Sequence, residues 1–101
     1  MHNYILFLGA CDRLFVAESQ RGMELEEHDD IIIESSSRLS CLESCLASKE
    51  IICRSVEYDS KTSECRLSRH DRFTRKTHFR KASSASIEYF DVTCPYQEGK
   101  F

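Results

Sequence analysis

The sequence contains a single proline, three glycines and no tryptophan, and no apolar run approaches the roughly 20 residues that cross a bilayer. So little proline and glycine excludes a collagen-like or low-complexity chain. Asn-x-Ser/Thr sequons are also absent, so N-glycosylation gives no indication of the compartment. With 41% hydrophobic and 31% charged residues among 101, the composition predicts one globular domain with one modest core.

Motifs of catalysis are missing as well. No G-x-S-x-G, H-E-x-x-H or paired-carboxylate pattern occurs, and the serine-rich stretches fit helix caps and turns. His70 and Asp71 are adjacent, but neighbours in a chain point to different sides. We therefore predict a protein that is not an enzyme and that holds no cofactor.

The chain does contain six cysteines: Cys11, Cys41, Cys45, Cys53, Cys65 and Cys94. An even number in a short chain predicts a disulfide framework if the protein is exported, and a metal or redox site if it is not. A metal site is the weaker interpretation, because neither a C-x2-C pair nor an H-x3-5-H spacing is present. The predicted location is therefore extracellular, as a secreted protein or the ectodomain of a membrane-anchored one.

The clearest periodic pattern predicts a helix after three serines. Its apolar positions repeat at i, i+3 and i+7 and include two cysteines at i and i+4, namely Leu39, Cys41, Leu42, Cys45 and Leu46. Ser37 is the preferred N-cap, and Ser40 with Glu43 at capping-box spacing is the second candidate. We expect the helix to end near residues 48–49.

Strand patterns lie on both sides of this helix. They cover residues 13–17, 23–26, 31–33, 51–58, 64–68 and 86–92. The β-branched run 31–33 favours a buried strand, and 51–58 with 64–68 form a hairpin around a polar turn. Residues 69–81 show no strong period and indicate a long surface connection. The fold class is α+β, with a single helix packed on a roughly five-stranded antiparallel sheet and stapled by disulfides.

The helix constrains how the cysteines pair. Side chains at i and i+4 run side by side, so Cys41 and Cys45 are poorly placed to bond each other and each must reach a different strand. The segments that follow carry Cys53 and Cys65, which gives Cys45–Cys53 and Cys41–Cys65, and leaves Cys11–Cys94 to join the chain ends. Six cysteines allow fifteen connectivities, so this choice rests on topology alone.

Charge is segregated along the chain. Eight acidic residues lie between positions 12 and 34, and seven basic residues lie between 66 and 81, a segment called the basic stretch below. Two interpretations carry equal weight: the segments neutralise each other, or the basic stretch binds an anionic partner. The candidate anion-binding residues are Arg66, Arg69, Arg72, Arg75, Lys76, Arg80 and Lys81. Phe73 and Phe79 between them are contact groups or core residues, and we favour the core for at least one. Nucleic acid is an unlikely class of partner, given the acidic overall balance and the disulfides.

The stretch from residue 37 to 94 resembles a PAN/apple domain. The resemblance rests on Cys41-Leu42-Glu43-Ser44-Cys45-Leu46, on Cys53-Arg54-Ser55-Val56-Glu57-Tyr58-Asp59, on Glu64-Cys65-Arg66-Leu67-Ser68 and on Tyr89-Phe90-Asp91-Val92-Thr93-Cys94. The residues of these segments are particularly similar to those of PAN modules in invertebrate zona-pellucida-type matrix and cuticle proteins. The resemblance implies a helix cradled by a five-stranded antiparallel sheet, with the same two central disulfides and a third between the termini.

These features divide the chain into three parts and predict its role. Residues 11–94 form the PAN/apple-like domain, and 95–101 are a tail. Residues 1–10 are a first strand or the remnant of a signal peptide, whose basic n-region is lacking. The resemblance implies a non-catalytic module that binds extracellular proteins or anionic glycans, as one unit of a larger matrix or adhesion protein, itself secreted or membrane-anchored. The alternative is a structural spacer with no ligand of its own.

Overall fold

An antiparallel sheet of six strands organises the protein, in the order β1-β2-β8-β5-β6-β4. The computed structural model describes residues 2–8 and 14–92, with side chains from residue 19 onward. Its elements are β1 (His2–Leu8), β2 (Leu14–Arg21), β3 (Met23–Leu25), β4 (Ile31–Glu34), α1 (Arg38–Ala47), β5 (Ser55–Asp59), β6 (Glu64–Ser68), the 3-10 turn η1 (Lys76–His78), β7 (Phe79–Lys81) and β8 (Ile87–Asp91). The predicted α+β fold, one helix on an antiparallel sheet, is confirmed, and β1 extends that sheet beyond β2.

The helix begins where its serine cap predicts. The Ser37 hydroxyl accepts a hydrogen bond from the Ser40 amide at 3.1 Å, so Ser37 and not Ser40 is the N-cap. The helix ends at Ala47 with Ser48 as its C-cap, close to the end expected at residues 48–49. Cys41, Leu42 and Cys45 face the sheet and are buried, because they repeat along one stripe of the helix.

Two disulfides fasten α1 to the chain that follows it. Cys41 bonds Cys65 on β6, and Cys45 bonds Cys53 in the connection before β5. These are two of the three pairs inferred from topology, and Cys11–Cys94 lies outside the described residues. The bridges lie in an apolar core between α1 and the sheet, with Val56, Leu67 and Phe90 around them.

The opposite face of the sheet is covered by a second, two-stranded sheet of β3 and β7. Leu25 of β3 is buried, and its amide donates to the Glu57 carboxyl at 2.6 Å. The Phe79 ring of β7 packs edge-on against Tyr89 of β8, with centroids 4.8 Å apart. Because both faces are covered, all five residues of β5 are buried.

The Ile31–Ile33 run is not the buried strand that its composition predicts. β4 pairs only with β6 and so forms the edge of the sheet. Ile31 and Ile33 pack against the core, while Ile32 lies on the alternate face and is 55% exposed. The β-branched run specified an extended backbone, whereas burial depended on which strands became neighbours.

Three predicted boundaries also change. The strand predicted over 51–58 begins only at Ser55, because residues 48–54 must cross from the helix to the sheet. The strand predicted over 13–17 continues to Arg21, because the polar residues after it pair with β8. The supposed surface connection 69–81 contains η1 and β7, since β3 supplies a pairing partner. The hairpin and the last strand agree with expectation.

Within the described residues, no helix is both long and apolar enough to cross a membrane.

Candidate ligand-binding groove

A groove of about 580 Å³ opens at the end of the β5–β6 hairpin that is remote from its turn. Two connections form it, residues 50–54 between α1 and β5 and residues 69–75 between β6 and η1. Its lining residues are Glu50, Ile51, Ile52, Arg54, Arg69, His70, Thr74 and Arg75, and we call it the basic groove.

The hairpin register brings the two connections together. Ser55 is paired with Ser68, so Arg54 and Arg69 are the next residues on each side. The Arg54 amide donates to the Ser68 carbonyl at 2.8 Å, which extends the pairing one residue beyond the strand. The disulfide at Cys53 ties the preceding position to the helix. Arg54 and Arg69 are therefore held near each other by backbone and covalent contacts.

A turn built on Asp71 positions Arg75. The buried Asp71 carboxylate accepts hydrogen bonds from the amides of Phe73 and Thr74, each at 2.9 Å, and the Thr74 hydroxyl accepts from the Asp71 amide at 2.9 Å. The Arg75 amide then donates to the Asp71 carbonyl at 3.0 Å. These bonds satisfy the local backbone without regular secondary structure and fix the second wall of the groove.

Behind this wall, the loop is anchored to β8. The Tyr89 hydroxyl accepts from the Arg72 amide and donates to Asp91, both at 2.8 Å. The Arg72 guanidinium Nε lies 2.8 Å from Asp91 Oδ2. Burial, and then the neighbouring Asp91 carboxylate, raise the pKa of the Tyr89 phenol, so it stays a hydrogen-bond donor at physiological pH.

The basic groove has a strong excess of positive charge. Three arginines and a histidine face one carboxylate, Glu50. Arg69 is partly neutralised by Asp30, with Nε 3.5 Å from Oδ2, but its side chain remains 57% exposed. Ile52 at the rim is 80% exposed. Guanidinium groups bind carboxylates and sulfates with charge-assisted, often bidentate hydrogen bonds, so the groove suits an anionic group attached to a larger body.

The structure separates the seven predicted anion-binding residues into different environments. Only Arg69 and Arg75 line the groove. Arg72 is paired with Asp91, and Arg80 with Glu26 at 3.3 Å. The remaining residues are Arg66, described next, and Lys76 and Lys81, which are exposed on η1 and β7.

Arg66 has a structural role on the covered face of the sheet. Its guanidinium lies 2.7 Å from Glu64, 3.3 Å from Glu57 and 3.7 Å from Glu24. Together with the Arg69–Asp30 and Arg80–Glu26 pairs, this shows that the acidic and basic segments neutralise each other in part. The phenylalanines divide likewise, since Phe79 packs on Tyr89 while Phe73 is 63% exposed beneath the Arg72 guanidinium.

Sequence reasoning missed Arg54, His70 and the apolar pair Ile51 and Ile52. The signal that leads to Arg54 is the hairpin register: once Ser55 is placed opposite Ser68, Arg54 lies next to Arg69. The sequence draws attention to His70 only through its neighbour Asp71, as a pair that adjacency makes unsuitable for catalysis. Among the residues that the structure describes, no group of three His, Cys, Asp or Glu side chains is placed to hold a metal ion.

Comparison with known proteins agrees with this architecture. No match was found among curated proteins. A family model described as the PAN domain matches residues 11–94, which is most of the chain. PAN domains are generally non-catalytic modules of extracellular proteins that bind proteins or carbohydrates, and they share the disulfide-stapled helix-on-sheet fold seen here. The chain belongs to the PAN domain family.

Proposed function

We propose that this chain is an interaction module of an extracellular matrix or adhesion protein, of the zona-pellucida type, and that its basic groove binds acidic groups on a protein or glycan. The observation that carries the proposal is the convergence of Arg54, Arg69, His70 and Arg75 around one cavity whose lining includes one carboxylate, Glu50. If the basic side chains were spread evenly over the surface, no single cavity would gather several of them around one ligand.

The walls of the groove support a binding role because they are fixed in advance. The Asp71 turn, the Tyr89 anchor and the Cys45–Cys53 bridge hold both connections through bonds that do not use the side chains of the groove arginines. A site ordered before binding loses less conformational entropy when the ligand arrives. The exposed Ile52 adds an apolar contact beside the charges, a combination common at the centre of protein interfaces.

The test is retention on heparin, whose sulfates stand for the anionic ligand. The wild-type module is expected to remain bound at physiological salt. Arg69→Ala combined with Arg75→Ala should lower the affinity at least about tenfold, because each charge-assisted hydrogen bond contributes about 1.5 kcal/mol or more. The charge-matched control is Lys61→Ala with Lys81→Ala, two exposed lysines outside the groove.

Equal losses in the two double variants would show that net charge, not the groove, determines retention. Elution of the wild-type module well below physiological salt would remove the binding proposal and favour the structural-spacer role.

A further inference from the structure

At one side of the basic groove, the His28 ring contacts two histidines that are distant from it in sequence, His70 and His78. His28 Nε2 and His78 Nδ1 are 2.9 Å apart. The His28 ring centroid lies 4.9 Å from that of His70 and 4.7 Å from that of His78. We call His28, His70 and His78 the histidine cluster. Its members come from the β3–β4 connection, the β6–η1 connection and η1.

His70 belongs both to this cluster and to the groove. It is a lining residue, and its Nε2 lies 3.5 Å from the Arg75 guanidinium. Its backbone is fixed on both sides, since the His70 amide donates to the Ser68 hydroxyl at 3.0 Å and its carbonyl accepts from the Ser55 hydroxyl at 2.6 Å. A change of charge on His70 is therefore felt where an anionic ligand would bind.

The surroundings of His28 favour its uncharged form. Burial, then the neighbouring His78 and His70, and then Arg75 lower the pKa of His28, while Asp30 acts in the opposite direction. The His28–His78 hydrogen bond also requires one unprotonated nitrogen. The titratable and charged groups around the histidine cluster and the adjoining groove are Glu27 and Asp30 of the β3–β4 connection, Arg69, Asp71 and Arg75 of the β6–η1 connection, and Glu50 and Arg54 of the α1–β5 connection.

We propose that His70 is a ligand-contacting residue of the basic groove and that proton uptake by the histidine cluster strengthens anion binding as the pH falls from 7.5 to 5.5. This inference rests on the proposed function of the groove. An anion bound beside Arg75 adds negative charge next to the His70 ring and so favours its protonated form. By linkage, binding of the anion and binding of the proton then favour each other.

The test compares heparin affinity at pH 5.5 and 7.5 and constant ionic strength, where the sulfates remain ionised. Partial protonation of surface carboxylates raises the affinity of every variant at the lower pH, so the informative quantity is the ratio of the two affinities. In His70→Gln we expect this ratio to fall by about three- to fivefold, the effect of one partly exposed charge. The control Lys61→Ala keeps the wild-type ratio.

A second measurement does not depend on a variant. Histidine ring proton signals of the wild-type protein, titrated by NMR with and without heparin oligosaccharide, should show a higher midpoint for His70 when the ligand is bound.

Two results separate the possible failures. An unchanged ratio in His70→Gln, or an unmoved His70 midpoint in protein saturated with heparin, would overturn the role of His70 and leave the groove proposal standing. Failure of the wild-type protein to bind heparin at either pH would overturn both.

Discussion

The carboxyl of Glu57 is buried between the two sheets and has an unusual electrostatic position. Burial raises the pKa of Glu57 to about 7, although the Leu25 amide and the Arg66 guanidinium both favour the charged form. Asp29 and Glu24 add repulsion to the burial effect. One side chain thus joins β5 to the β3–β7 sheet through a hydrogen bond whose acceptor changes charge near neutral pH.

The first prediction concerns this group. Because the folded protein holds the Glu57 proton more tightly than the unfolded chain, the free energy of unfolding should fall as the pH rises from about 4.5 to about 7. Glu57→Gln keeps an acceptor for the Leu25 amide and removes the titration. Urea denaturation from pH 4.5 to 8 should show the wild-type protein losing up to about 3 kcal/mol relative to the variant. Parallel profiles for the two proteins would contradict the assignment.

The second prediction concerns Tyr89, which joins the groove wall to the sheet. Tyr89→Phe removes the acceptor of the Arg72 amide and the Tyr89 hydroxyl that donates to Asp91, at nearly constant volume. The variant should lose about 1–3 kcal/mol of unfolding free energy and bind heparin more weakly, because residues 69–75 lose their anchor. The control is Tyr58→Phe, whose hydroxyl donates to the Ser35 carbonyl away from the groove. It should lose stability without loss of heparin affinity in its folded state.

At the scale of elements, α1 depends on its cap and on one stripe of side chains. The first turn of the helix contains no acidic residue that would stabilise its N-terminus. The side-chain cap of this N-terminus is the Ser37 hydroxyl, which accepts from the Ser40 amide. Its first residue, Arg38, also reaches the buried Glu88 of β8 at 3.2 Å. Glu88 accepts a further hydrogen bond from the Ser19 hydroxyl at 2.7 Å, so the helix start is tied to two strands.

The third prediction tests the cap. Ser37→Ala should lower the free energy of unfolding by about 1 kcal/mol, because the Ser40 amide loses its acceptor. Ser40→Ala is the matched control, since Ser40 contributes its amide and not its hydroxyl to this cap, and alanine favours a helix interior. Equal losses in thermal or urea denaturation would show that the serine hydroxyl at position 37 has no special role.

In the part of the molecule that the structure describes, two bridges within the core hold the helix to the chain that follows it. Cys41 and Cys65 are completely buried between α1 and β6, and Cys45–Cys53 ties the end of the helix to the groove. The two cysteines of a bridge are 24 residues apart in Cys41–Cys65 and 8 residues apart in Cys45–Cys53. On the loop-entropy model they stabilise the fold by about 3.5 and 2.6 kcal/mol. Either value is a large part of the net stability of a small domain.

The fourth prediction ranks the bridges. Cys41→Ala with Cys65→Ala should destabilise the protein more than Cys45→Ala with Cys53→Ala, because it opens the longer loop and leaves a cavity in the core. Denaturation curves give the order of stability. The shorter bridge should matter more for binding, since it orders the connection that carries Arg54, and heparin affinity of the folded variant reports this effect. A reversed order in either measurement would contradict the assigned roles.

Local pattern determined the parts of the fold that depend on near neighbours. The serine cap and the i, i+3, i+4 stripe specified α1 from Ser37 to Ser48, and alternation around a polar turn specified the β5–β6 hairpin. Cysteine number and spacing indicated a disulfide-stapled extracellular module, since so small a core needs covalent support.

Only the tertiary structure decided which distant segments became neighbours. It paired β3 with β7, left the Ile31–Ile33 run at an edge, and divided the basic stretch between ion pairs and the groove. It also brought His28 to His78, 50 residues away. Periodicity in the sequence does not predict such contacts, because they depend on strand order and on the path of the irregular connections. Both are fixed only when the complete core packs.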